Sequence, residues 1–144
     1  MAEDPGADPT QTAFFGTSNM EAPASIEQIP LSERDREAVA ALPAGTALLI
    51  VQRGPNSGAR FLLDMPTTNA GRSPAADIFL DDVTVSRKHC QFIAEEGGHM
   101  VRDSGALNGT YVNRERVDSA HLKAGDEVQI GKYRMTYQPS KKGK

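Results

Sequence analysis

The chain has 144 residues, 38% of them hydrophobic, a formal charge of −3 and a single cysteine, Cys90. That length suits one domain with one modest core and a polar appendage, and one cysteine excludes an internal disulfide framework, so a reducing compartment is expected. No run of about 18 apolar residues occurs and the N-terminal stretch "MAEDPGADPTQT" is acidic. A membrane-spanning helix is therefore excluded and a cytoplasmic protein without membrane association is expected.

The charge is unevenly placed. Residues 1–45 hold eight acids and two bases, whereas residues 46–144 hold eleven acids and fourteen bases. An acidic segment is thus tied to a mildly basic body, and the two should attract at low salt. Residues 1–25 are rich in Ala, Pro, Gly, Ser, Thr and acids without periodicity, and disorder is expected there. Phe14 and Phe15 are the only aromatics before Phe61 and suggest that part of the segment docks. "LSERDREAVAALPAG" then reads as a short helix over about 32–42, with Ser32 as N-cap, Asp35 as its box-like partner and Pro43 with Gly45 as the stop. Its expected part is to space the tail (1–45) from the body.

From Thr46 short strands alternate with turn signals. "TALLIVQR", "ARFLL", "IFL", "CQFIAE", "MVRD", "TYV" and "ERV" precede the hairpin "DEVQI-GK-YRMTY". Such spacing without helical periodicity predicts an all-β sandwich over 46–138, followed by a basic end at 139–144. In a sandwich the sheets give rigidity and the loops carry function. Three loops stand out: "NAGRSPAAD" around Arg72, "DDVTVSRKH" around Ser86 and "DSGALNGTYVN" around Asn108.

"VTVSRKH", residues 83–89, concentrates cations and hydrogen-bonding groups in a chain of negative charge. It suits a phosphate pocket, a catalytic constellation, a nucleic-acid patch or a solvated loop. A phosphate monoester needs a cation, a hydroxyl or amide donor and rigid placement. Arg72 after Gly71, Ser86 with Arg87, and the amide of Asn108 before Gly109 supply these, the amide being suited to a peptide main chain. The rival nucleophile–base pair of Cys90 and His89 is disfavoured, because neighbouring strand residues face opposite ways. No metal-ligand spacing links the three histidines, so no metal, cofactor or catalysis is expected. A body of such small positive charge with few aromatics argues against nucleic acid as partner.

"GRSP…DIFLDDVTVSRKH…LNGTYVN" resembles the forkhead-associated (FHA) domain, a β-sandwich that binds phosphothreonine peptides. The resemblance rests on Gly71-Arg72, on Ser86 with His89, on Asn108-Gly109 and on Asn113, in that order. It implies an eleven-stranded sandwich in which Arg72, Ser86 and Arg87 hold the phosphate while Asn108 and Thr110 meet the peptide. His89 would brace the loop from beneath, and Gly71, Gly109 and Asn113 would shape the turns.

"LPAGTALLIVQRGPNSGARFLLD" and "DEVQIGKYR" are further similar to the actinobacterial family of glycogen-accumulation regulators and oxoglutarate dehydrogenase inhibitors. There a Ser/Thr protein kinase phosphorylates an N-terminal Thr-Thr motif, and the tail folds back into its own FHA pocket. The unphosphorylated form inhibits the E1 component of 2-oxoglutarate dehydrogenase and acts on glutamate-metabolising enzymes. The resemblance carries over to a monomer phosphorylated at Thr12 or Thr10. In "TQTAFF", Thr12 takes the second threonine and Phe15 the phenylalanine, while Gln11 replaces the first threonine. The 34 residues from Thr12 to Thr46, as a flexible chain, span about 30 Å, enough to reach any face of such a domain.

Overall fold

The computed structural model describes residues 31–142. Thr10 and Thr12 lie outside the described residues. Among the described residues one helix, α1 (Glu33–Ala40), precedes eleven strands. These are β1 (Ala47–Arg53), β2 (Arg60–Leu63), β3 (Thr67–Gly71), β4 (Ile78–Phe79), β5 (Cys90–Glu95), β6 (Gly98–Asp103), β7 (Thr110–Val112), β8 (Glu115–Val117), β9 (Ser119–His121), β10 (Glu127–Ile130) and β11 (Tyr133–Pro139). They form a six-stranded sheet, β2-β1-β11-β10-β7-β8, and a five-stranded sheet, β4-β3-β5-β6-β9. All strand pairs are antiparallel except β3 with β4. The expected all-β sandwich is the fold. No helix among the described residues is long and apolar enough to cross a membrane.

The core follows from two-residue alternation. Ala47, Leu49 and Val51 of β1 and Val128 and Ile130 of β10 face Phe92 of β5 and Val101 of β6 across the sandwich. β1 is buried on its other side too, because Leu48 and Ile50 pack under Val39 and Leu42 from α1 and the residues after it. That is why its sequence reads as an unbroken apolar run rather than an alternating one.

The helix start matches the sequence expectation, since Asp35 N–H donates to Ser32 Oγ at 3.1 Å. Its part differs from that of a spacer: α1 covers the outer face of β1, and Ser140 Oγ donates to Leu42 O at 3.0 Å. Arg60 on β2 adds an ion pair to Asp35 at 3.6 Å. Removing Val39 and Leu42 from water contributes about 1.5–3 kcal/mol each, which outweighs the modest propensity of an eight-residue helix.

Candidate phosphopeptide site

The strands bring the three loops into one hydrogen-bonded cluster. β3 ends at Gly71, and there the chain runs alongside the β4–β5 loop: Arg72 N–H donates to Ser86 O at 2.9 Å and Ser73 N–H to Arg87 O at 3.3 Å. Only glycine fits at position 71, since a Cβ would overlap the Arg87 carbonyl oxygen. The same contact aims Arg72. Its Nε donates to Val85 O at 3.1 Å, and its two terminal NH2 groups have no hydrogen bond or ion pair among the described residues. A fork fixed at one nitrogen and open at the others is suited to bidentate binding of an oxyanion.

Ser86 sits beside it with its three polar atoms arranged. Its N–H donates to His89 Nδ1 at 3.0 Å, its carbonyl takes the Arg72 N–H, and its Oγ accepts Leu107 N–H at 3.0 Å. The hydroxyl proton is therefore left to donate outward. Asn108 Nδ2 donates to Thr84 O at 2.9 Å, which locks the amide with Oδ1 available to accept a main-chain N–H from an extended peptide. Thr84 is itself pinned: its N–H and hydroxyl donate to Asp82 Oδ1 at 2.9 and 2.7 Å, and its Oγ1 accepts Lys132 N–H at 2.9 Å. The two donations from Thr84, the backbone one first, hold the Asp82 carboxyl below its usual range. Arg87 is exposed next to Ser86.

Beneath these groups lies a buried brace. His89 is 0% exposed and spans two loops, with Nδ1 accepting from Ser86 and Nε2 at 2.8 Å from Gly109 O. An accepting Nδ1 places the single ring proton on Nε2, donated to that carbonyl. Gly109 has φ +80°, and a Cβ there would press on the Arg116 side chain. Asp103, unremarked in the sequence reading, caps the β6–β7 loop. Its Oδ2 accepts Gly105 N–H at 2.9 Å and Ala106 N–H at 3.2 Å, and its Oδ1 accepts Thr110 Oγ1 at 2.7 Å. The signal was the Asp103-Ser104-Gly105 run, an Asx-turn pattern. Thr110, expected at the peptide, is fully buried and its hydroxyl donates to Asp103. Asn113 stands further off in a two-residue turn with Arg114, both at positive φ, 51° and 69°. Its side chain bridges Asp126 Oδ1 and Glu127 N–H at 3.1 and 3.0 Å.

Two large apolar side chains, Val83 and Leu107, are 84% and 86% exposed on the same pair of loops. Sequence reasoning passed over both, because exposure of a loop residue has no periodic signature. Cys90 is buried, and burial first, then the Asp103 charge, raises its thiol far above neutrality. It is therefore not a thiolate at pH 7, as a nucleophile must be.

The brace makes stability depend on pH. Burial is the largest influence on His89 and also on His99, a buried β6 residue whose Nδ1 lies 2.8 Å from Tyr137 Oη, and lowers each below the ordinary histidine value. The folded state thus binds these protons more weakly than the unfolded chain, so stability is complete above about pH 6.5 and falls below it. We expect a lower urea midpoint at pH 5.5 than at pH 7.5; an equal or higher one would contradict the assigned neutral ring. His89→Ala should cost about 2–5 kcal/mol at pH 7.5, since it strips partners from a buried N–H and a buried carbonyl.

The FHA domain profile matches residues 68–131. The chain is 67% identical over 99 residues to the glycogen accumulation regulator GarA of Mycolicibacterium smegmatis, covering 69% of this chain and 63% of that protein. It is 66% identical over 96 residues to the oxoglutarate dehydrogenase inhibitor of Corynebacterium efficiens, covering 67% of this chain and 68% of that one. The chain thus spans slightly under two thirds of the first relative's length. Among solved structures, Mycobacterium tuberculosis EmbR in complex with a low-affinity phosphopeptide aligns with a TM-score of 0.62 at 29% identity, covering 69% of this chain and 26% of that one. With the sandwich, the ordered loop motifs and these identities in hand, the chain belongs to the FHA-domain family that includes the glycogen accumulation regulators and the oxoglutarate dehydrogenase inhibitors.

Proposed function

We propose that this protein is a non-catalytic regulator whose loop cluster binds phosphothreonine peptides. Its targets are the E1 component of 2-oxoglutarate dehydrogenase and glutamate-metabolising enzymes, and its control is phosphorylation of its own Thr12. The observation that carries the reading is the preorganised triad. Arg72 is clamped through Nε with its fork open, Ser86 has a free hydroxyl proton, and Asn108 is locked by Thr84 with Oδ1 free. Arg72, Ser86 and Arg87 take the phosphate, Asn108 takes the peptide main chain, and Val83 and Leu107 give apolar contact to flanking side chains. Gly71, His89, Gly109 and Asn113 hold the loops in place. The names of the relatives support the metabolic role.

The switch follows from tethering. Phosphorylation adds about −1.5 to −2 charge to a segment already acidic in sequence, and that charge is opposite in sign to the cations of the pocket. A short tether gives an effective concentration near millimolar, so an intermolecular Kd of about 10 μM would favour the closed form about 100-fold, or about 2.7 kcal/mol. The closed form then competes with external partners for the same loops.

The test is calorimetric titration of the unphosphorylated full chain with a peptide of residues 6–20 phosphorylated at Thr12, beside its unphosphorylated twin. Micromolar affinity for the phosphorylated peptide alone is expected. If that peptide fails while another phosphothreonine peptide binds, the domain reads partners such as a kinase in trans and the tail is no switch. If no phosphothreonine peptide binds, the pocket assignment falls.

A further inference from the structure

Next to the phosphate loops, on the side of β3 and β5, is a second depression of about 260 Å³. Its polar rim is Asn69, Ser73, Arg87, Lys88, Gln91 and Ser104, over a floor of small side chains that includes Ala70 and Cys90. Alanines rather than larger residues keep it open. Arg87 belongs to both places: it follows Ser86 in the chain and lines this cavity.

The charges here are unbalanced. Arg87 and Lys88 are consecutive and exposed, and neither has an ion-pair partner among the described residues. Two acids stand close by, and both are engaged: Asp77 accepts Asn69 N–H at 2.9 Å, and Asp103, opposite Cys90 in the β5–β6 pair, accepts Gly105 N–H, Ala106 N–H and the Thr110 hydroxyl. Gln91 Nε2 is likewise engaged, donating to Asn69 Oδ1 at 2.9 Å. Ser73 Oγ accepts Ala75 N–H at 3.2 Å, which leaves its proton to donate. The rim therefore offers two cations and a hydroxyl donor, with no acid among the lining residues and no ion pair to either cation among the described residues. Two adjacent like charges repel, and an anion between them and the serine would relieve this.

We infer that this cavity is a second anion subsite, filled by a carboxylate or a second phosphate on the same peptide, two residues from the phosphothreonine. The inference rests on the phosphothreonine reading above. In an extended peptide, residues i and i+2 face the same way and stand about 6.6–6.8 Å apart, so an anion there can meet Lys88 while the phosphate meets Arg72. The chain's own tail has that spacing in Thr10 and Thr12. A tail phosphorylated twice would then close more tightly than one phosphorylated once, and a graded response would replace a binary one.

The experiment titrates the unphosphorylated full chain with four peptides of residues 6–20, all phosphorylated at Thr12. One is otherwise unchanged, one carries Glu for Thr10, one carries Glu for Phe14, and one is also phosphorylated at Thr10. We expect the doubly phosphorylated peptide to bind at least about 10-fold tighter than the singly phosphorylated one. Lys88→Gln should remove that advantage and leave the singly phosphorylated peptide within about twofold. If a Glu peptide gains as much, a carboxylate suffices; if only the second phosphate gains, the subsite needs a dianion. The two Glu peptides also report which end of the ligand faces the cavity. Equal affinity of all four peptides would overturn the subsite, as would a uniform loss across them in Lys88→Gln. If even the singly phosphorylated peptide and unrelated phosphothreonine peptides fail to bind, the phosphothreonine reading itself fails and the subsite with it.

Discussion

Replacing Arg72 with alanine is expected to weaken phosphopeptide binding by at least about 100-fold while the melting temperature falls by only a few degrees. The direction of the guanidinium is fixed through Nε on Val85 O at 3.1 Å. Two charge-assisted bonds from its open NH2 groups to a phosphate are worth about 1.5–3 kcal/mol each, and each 1.4 kcal/mol is tenfold in affinity. The side chain is exposed, so its removal leaves no cavity, and the single bond to Val85 contributes only about 0.5–1.5 kcal/mol. Arg72→Lys should fall between, since a lysine keeps the charge but loses both the fork and the Nε anchor. Calorimetry with the Thr12-phosphorylated peptide, paired with thermal melts, measures both halves. Normal binding by Arg72→Ala would remove the phosphate site from this end of the sandwich.

Gly71→Ala should do the opposite, costing the fold first and the site with it. A methyl at this position overlaps the Arg87 carbonyl oxygen and would lie 2.8 Å from the Arg87 carbonyl carbon and 3.1 Å from Ser86 O. All three are backbone atoms, so no side chain can swing aside. Relief requires parting β3 from the β4–β5 loop, which breaks the bonds from Arg72 N–H to Ser86 O and from Leu80 N–H to Gly71 O, each 2.9 Å. We expect a loss of about 3 kcal/mol or more, a fall in melting temperature on the order of 10 °C or more, and weakened phosphopeptide binding even in the folded fraction. A melting temperature within a few degrees of the parent would show that the close approach at Gly71 is not obligatory.

The contrast between these two variants reflects how the site is built. Of the groups proposed to touch the ligand, Arg72, Arg87 and Asn108 lie exposed and Ser86 half-buried, while His89, Asp103 and Thr110 below are buried or half-buried and bonded. Rigid placement lowers the ordering cost of binding. It also explains why three loops of little regular structure hold one arrangement: their crossings are tied by the bonds Arg72 N–H to Ser86 O, Ser86 N–H to His89 Nδ1, Leu107 N–H to Ser86 Oγ and Asn108 Nδ2 to Thr84 O.

Much of this was legible in the residues. Alternation and turn spacing specified the sandwich, and a serine followed three positions on by an aspartate specified the start of α1. The order Gly71-Arg72, Ser86, Asn108 pointed to a phosphate-reading loop cluster, because those residue types are chosen for local chemistry that any chain would express. Strand β3 was less legible and read as part of a loop. "TTNAG" is small and polar, and it is a strand because it pairs with β5 from Thr67 opposite Ile93 to Ala70 opposite Cys90. β9 was missed likewise; its pairing with β6 creates it, not its own composition.

What tertiary structure alone decided concerns residues whose meaning depends on distant partners. The helix became a cover over Leu48 and Ile50 rather than a spacer because burying Val39 and Leu42 is favourable only when β1 lies beneath them. Thr110 became a brace because folding placed Asp103 2.7 Å away. The pairing of Arg87 with Lys88 over an open cavity arose because small side chains from β3, its following loop and β5 converge there. Sequence determines residue chemistry and local backbone preference, which are short-range. Which face is covered, which hydroxyl is spent and which cation is left unpaired are set by contacts between segments far apart in the chain, and only the folded packing supplies those.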